Sequence, residues 1–261
     1  MSPSAFAGNI FLIGLDALRE AGWLKKEELV PDNAFQPYRI HYPAVIAFRM
    51  SRLKLAADRF FGSANAAPDH AFGLFCERNA FWLDTYALFR TLSDCYGTTW
   101  QQWPAAFARK EPAALAGFAE EHAGDIRFWK FCQWCFYEQW QALRTYAHSK
   151  GIDIIGDIPI FVAHDSADVW ANRGIFDLYA DGTTRTAAGV GPDYFSAEGQ
   201  FWGNPLYNWD GKKAEVFEFW RRRVAAAVSM YDAIRFDHFR GFADYWAIPS
   251  KTKDARKGSW K

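Results

Sequence analysis

Cysteine is scarce and scattered. The 261 residues hold 4, at Cys76, Cys95, Cys132 and Cys135, too few and too unevenly spaced for a disulfide scaffold, which points to a reducing compartment. Charge of one sign is lacking as well. Lys plus Arg is 30 and Asp plus Glu is 30, so no overall field draws nucleic acid or an anionic membrane, and neither is expected as a partner. No apolar run approaches the length of a membrane span, and the patch from Ile10 to Leu15 is closed by Asp16 with no basic residues before it, a poor signal peptide. The G-x-S-x-G elbow, H-E-x-x-H and the phosphate loop are all missing, and Gly189-Val-Gly191 is too short for a dinucleotide fingerprint. Cys132-Gln-Trp-Cys135 has C-x-x-C spacing but sits inside the aromatic helical pattern Phe128–Trp140, with no second pair to complete a zinc site. His164 beside Asp165 has no third ligand at sensible spacing. No metal and no cofactor is expected.

What the chain has in abundance is aromatic rings. Phe, Trp and Tyr make up 18% of the residues, with 24 Phe, 13 Trp and 11 Tyr, inside a hydrophobic fraction of 50% that marks a globular chain with a real core. Most of these rings fill that core; the remainder can present flat apolar faces to flat ligands such as sugar rings. Apolar residues at three- and four-residue steps predict helices over Pro43–Phe61, Asp69–Leu92, Ala113–His122, Asp125–His148 and Lys212–Met230, with Gly62–Pro68 and Thr98–Pro112 as connections. A short helix through Leu18, capped by Asp16 and stopped by Gly22, comes before them.

Two stretches have a different texture. Ile152–Val162 is β-branched and apolar, interrupted by Asp157, and Tyr231–Gly241 runs through Ala233, Ile234 and Phe236 before breaking into Asp237, His238 and Arg240. Both follow a helix, which predicts two parallel strands ending in charge. In an α/β barrel the C-terminal strand ends carry the chemistry, so Asp237, with Arg235 two residues earlier on the same face, is placed like a catalytic group. A guanidinium there would keep a carboxylate nucleophile ionised and aimed; a structural ion pair at a strand end is the competing interpretation. Between the strands, His164–Asp210 has little periodicity and many Gly, Pro, Asn and Asp residues, a length of loop that usually carries function.

Seven blocks, in order, carry a family resemblance. They are Ser2–Asn9 (SPSAFAGN), Phe81–Phe89, Glu138–Leu143, Gly156–Ala163 (GDIPIFVA), Asp165–Trp170 (DSADVW), Pro192–Ser196 with Gly199–Trp209, and Arg235–Gly241 (RFDHFRG). The chain resembles the 4-α-glucanotransferases, the amylomaltase or disproportionating-enzyme family (glycoside hydrolase family 77), along nearly its whole length. Ile10 and Gly191 stand where that family usually has proline.

The resemblance implies an α/β fold that is part of a (β/α)8 TIM barrel, with a mostly helical insertion over residues 1–124, the barrel part over 125–261 and a long cleft loop over 164–210. It implies retaining transfer of an α-1,4-glucan segment between maltodextrins, with Asp237 as nucleophile and Arg235 orienting it. Asp157 and His238 would flank the sugar in the central subsite, and Tyr194, Gln200 and Trp202 would lie on the loop covering the donor cleft. Bacterial members are cytoplasmic, in keeping with the few cysteines. A retaining reaction needs a second carboxyl group about 5–5.5 Å from the nucleophile. The family's acid/base Glu comes from beyond the nucleophile strand, and after Gly241 only Asp244 and Asp254 occur. The chain is therefore expected to be a fragment of about half the enzyme, inactive alone. Two alternatives stay open: an α-amylase-type hydrolase, against which the Gly-Gln-Phe-Trp-Gly-Asn-Pro loop argues, and a non-catalytic glucan-binding remnant.

Overall fold

The computed structural model describes residues 3–31, 35, 36, 38–63 and 66–261. Helices come first: α1 (Leu15–Glu20), α2 (Tyr42–Gly62), α3 (Ala66–Tyr96), α4 (Ala105–Ala108), α5 (Pro112–Glu121) and α6 (Ala123–Ser149). Pro43 stands in the first turn of α2, where its missing N–H costs nothing. The buried face of α2 is Leu53, Ala56, Ala57 and Phe60, at helical spacing. In α6 the burial is nearly continuous from Phe128 to Phe136, the pattern of a helix covered on most sides. Phe60 of α2 meets Phe131 and Trp134 of α6 at ring distances of 5.1 and 5.2 Å, and Trp23 closes on all three. Cys132 and Cys135 lie in this layer as free, buried thiols, and burial pushes both well above the ordinary thiol range. They act as small apolar side chains.

α1 begins one residue before Asp16, with Gly14 at its cap, so Asp16 lies in the first turn and favours the helix through its dipole. Gly22 ends the segment at φ +81°, a left-handed conformation that suits glycine. The expected turn at 62–68 is shorter than its composition suggests, because α3 already includes residues 66–68; residues 64 and 65 lie outside the described set. Thr98–Pro112 contains a 3-10 turn and α4 where a loop was expected.

α6 ends at Ser149, Gly151 turns the chain at φ +70°, and strand β1 (Ile155–Pro159) follows. Next come α7 (Ala167–Ala171), β2 (Thr186–Val190), β3 (Gln200–Pro205), α8 (Trp209–Met230), β4 (Ala233–Asp237), β5 (Trp246–Pro249) and β6 (Ser259–Trp260). β1 and β4 pair in parallel with Asp157 opposite Arg235 and Pro159 opposite Asp237, as the two apolar runs predict. Their connection through α8 makes a βαβ unit. The stretch 164–210 is more ordered than its composition implies. β2 and β3 from that stretch join β5 and β6 in an antiparallel sheet of order β3-β2-β5-β6, with a register irregularity between Ala187 and Gly189. The fold is α/β, with one two-stranded and one four-stranded sheet among the described residues, neither of them closed.

Candidate active site

The C-terminal ends of β1 and β4 bring three charges together. Arg235 donates Nε–H to Asp157 Oδ1 at 3.0 Å and Nη2–H to Asp157 Oδ2 at 2.8 Å, a bidentate pair across the strands; the same Nη2 reaches Asp237 Oδ1 at 3.3 Å. The sequence suggests that Arg235 serves the neighbouring Asp237, but its better partner is the cross-strand Asp157. The hydrogen bond that Arg235 donates to Asp157, then the charges of Asp157 and Asp237, raise the Arg235 pKa further. These side chains are 64%, 55% and 61% exposed for Arg235, Asp157 and Asp237. Solvated pairs of this kind contribute about 0–1 kcal/mol to stability, so holding the fold together is a weak account of the arrangement. Aiming a carboxylate is a better one.

After Asp237 the backbone turns sharply. His238 takes φ +57°, the left-handed region, and starts the 3-10 turn Phe239–Phe242. This bend sets the imidazole edge-on to Trp202, ring centres 5.1 Å apart, with Phe161 6.4 Å from both. Gly241 permits the bend, since a Cβ there would lie 2.9 Å from Ile160 Cδ1 and 3.1 Å from His238 Cδ2. His238 Nε2 is buried without a hydrogen-bond partner, a costly state that an arriving hydroxyl would relieve.

Asp157, Asp237, His238 and Trp202 line one cavity of about 640 Å³, together with the segment Ser4–Asn9. That volume is in the range of small-molecule sites. Gln200 stands behind Trp202, accepting the indole Nε1–H on its Oε1 at 3.0 Å. Tyr194 is not brought to the cavity: it is 97% exposed, on a turn where the Asp193 carboxylate accepts the N–H groups of Phe195 and Ser196. Its ring meets only the edge of exposed Phe195 among the ring contacts described, at 5.6 Å.

Several residues that shape the cavity were not singled out from sequence. Arg223 of α8, 4% exposed, donates to the carbonyls of Pro159 and Ile160 and to the Tyr207 hydroxyl, clamping the end of β1. Asn204 donates its side-chain amide to Val162 O at 2.8 Å and ties β3 to the same strand end. Asp168, 5% exposed, accepts from Ser4 and Ala5. A signal for Asp168 existed, a carboxylate flanked by Ala167, Val169 and Trp170 in a helical turn, but burial cannot be read from six residues. His164 is tied to Gln101 and to the Gly182 carbonyl and leans on Trp100, so its chemistry is structural.

Comparison with known proteins decides the family. The model of the 4-alpha-glucanotransferase family matches residues 1–261, the entire chain. The chain belongs to this family. The 4-alpha-glucanotransferase of Thermus thermophilus is 44% identical over 99% of this chain and 51% of its own length. That of Synechocystis is 41% identical over 98% of this chain and 51% of its own length. A chloroplastic/amyloplastic relative from Solanum tuberosum is 38% identical, over 98% and 45%. Among solved structures, the amylomaltase of Streptococcus agalactiae in complex with acarbose superposes with a TM-score of 0.94 at 37% identity, covering 100% of this chain and 53% of that one. The chain thus spans about half the length of the curated relatives it matches.

Proposed function

We propose that this chain is the nucleophile-bearing part of a 4-α-glucanotransferase acting on maltodextrins, its β1–β4 unit being two strands of a (β/α)8 barrel. Residues 1–124 form the helical insertion and 125–261 the barrel part. Asp237 attacks the anomeric carbon of a bound α-1,4-glucan, and the departing chain takes a proton from a Glu outside these 261 residues. The glycosyl-enzyme then passes its glucan to the 4-hydroxyl of another maltodextrin, with overall retention. Arg235 fixes Asp237 and Asp157 relative to each other, Asp157 and His238 meet sugar hydroxyls, and Trp202, steadied by Gln200, offers its ring to a glucose face. Tyr194 acts from its exposed turn by folding over a bound chain and restricting water. The observation that carries this is the Asp157–Arg235–Asp237 constellation at two adjacent strand ends, opening on a cavity walled by an indole and an unsatisfied imidazole nitrogen.

No helix among the described residues is long and apolar enough to cross a membrane. The four free cysteines suit a reducing compartment, and we place the protein in the cytoplasm. The test is product analysis from maltotriose with the full-length enzyme carrying this chain. Transfer redistributes chain lengths at a constant number of reducing ends, and Asp237→Asn abolishes it. A rising number of reducing ends would instead mean a hydrolase. Glucan binding with no turnover by the full-length protein would mean a binding remnant.

A further inference from the structure

One wall of the cavity is the segment Ser4–Asn9, which belongs to no regular element, yet its backbone is fastened at nearly every step. Gln133, fully buried on α6, accepts from the Gly8 N–H at 2.8 Å and donates to the Gly8 carbonyl at 3.1 Å. One turn on, the Tyr137 hydroxyl donates to Phe6 O at 2.6 Å. Gly8 has no room for a side chain, since a Cβ would fall 2.0 Å from the Phe136 ring. The other end hangs on α7: Ala167 N–H donates to Pro3 O at 2.9 Å, Ser4 Oγ–H to Asp168 Oδ1 at 3.2 Å, and Ala5 N–H to Asp168 Oδ2 at 2.6 Å.

We propose that Asp168 is a positioning residue for the glucan: it holds the Ser4–Gly8 wall in register with Asp157 and Asp237, and so sets where the sugar chain lies over the nucleophile. Asp168 touches neither of those carboxylates, but it lines the same cavity. A role in packing alone would be served as well or better by an apolar residue, because a buried carboxylate bears a desolvation cost. Arg223 of α8, whose charge is felt at Asp168, grips the end of β1. Wall and strand end are thus each held by a buried charged side chain, Asp168 on one and Arg223 on the other.

This inference rests on the glucanotransferase reading, and the test separates the two. In the full-length enzyme, hydrogen exchange of the Ala5–Gly8 amides is measured together with KM and kcat for maltotriose. Asp168→Asn is expected to speed that exchange at least tenfold, leaving α2 and α6 protected, and to raise KM at least fivefold with kcat within twofold. Asp168→Glu, which keeps the charge, recovers at least half of the lost affinity. Unchanged exchange, or a loosened wall with KM unmoved, overturns the proposal. If Asp168→Asn does not fold, Ser4→Ala removes the hydroxyl that donates to Asp168 and accepts the Phe6 N–H, and is held to the same pattern at twofold size at Ala5, whose own bond to Asp168 it leaves in place. A wild-type enzyme without transfer would sink the functional reading, whereas the exchange result would still judge the anchor.

Discussion

The helical layer and the strand-end face of this chain are built by opposite rules. Between α2 and α6, Phe60, Phe131 and Trp134 are 1%, 0% and 5% exposed and their rings interlock. At the ends of β1 and β4 the important side chains are charged and more than half exposed. Burial of rings supplies stability in proportion to area, whereas a solvated carboxylate supplies almost none and is free to do chemistry. The lesson is a division of labour: substitutions in one region should move the melting temperature, and substitutions in the other should move turnover.

The sharpest way to break that division is Asp237→Asn in the full-length enzyme. Transfer is expected to fall by about 10⁴-fold or more with a melting temperature within about 2 °C of wild type; a large loss of stability would put Asp237 on the structural side. Phe60→Ala should do the reverse, costing about 3–5 kcal/mol in urea unfolding with kcat/KM of the folded fraction unchanged. Asp168 crosses the boundary, and its pH dependence sharpens the comparison. Burial, only partly offset by the Ala5 N–H and Arg223, raises its pKa to about 6 from about 3.9 in an unfolded chain. The folded state therefore holds the proton more tightly. Its contribution to stability is fully present below about pH 4 and is lost as the pH rises through about 6, about 3 kcal/mol over that window. Asp168→Asn should flatten this part of the stability profile; an unaltered profile would show that Asp168 is not the group titrating. Smallest of the four, Trp202→Ala should raise KM about tenfold, or about 1.4 kcal/mol, with stability changed by less than that.

Much of this was legible in the sequence because the relevant patterns are local. Apolar spacing locates α2, α3, α6 and α8 to within a few residues, and the break from Ala-Ile-Arg-Phe into Asp237 marks a strand end. Pairing is not local. The antiparallel sheet escaped notice because Thr186–Val190 is mostly small residues and Gln200–Pro205 holds Gly203 and Pro205. Such segments become strands through partners as distant as Trp246–Pro249, and composition alone reads them as loop. The grouping of the candidate site was legible in the same measure. Asp157, Asp237, His238 and Trp202 meet around one cavity, but that Arg235 leans on Asp157, that Tyr194 stands clear and that Asp168 is buried all depend on three-dimensional register.

The pairing of Asp157 with Arg235 spans 78 residues of sequence, and this has a consequence for how the chain is made. The helices from α2 to α6 are complete before Asp157 leaves the ribosome, so contacts such as Phe60 with Phe131 and Trp134 have all their partners first. Asp157 must then wait for α7, β2, β3 and α8 to be synthesised, about 4–16 s at 5–20 residues per second, before its guanidinium exists. The aromatic layer is therefore old when the strand-end face is born. A slow codon or pause between α8 and β4 would prolong the interval in which β1 waits for β4, and the nascent chain is most open to aggregation then.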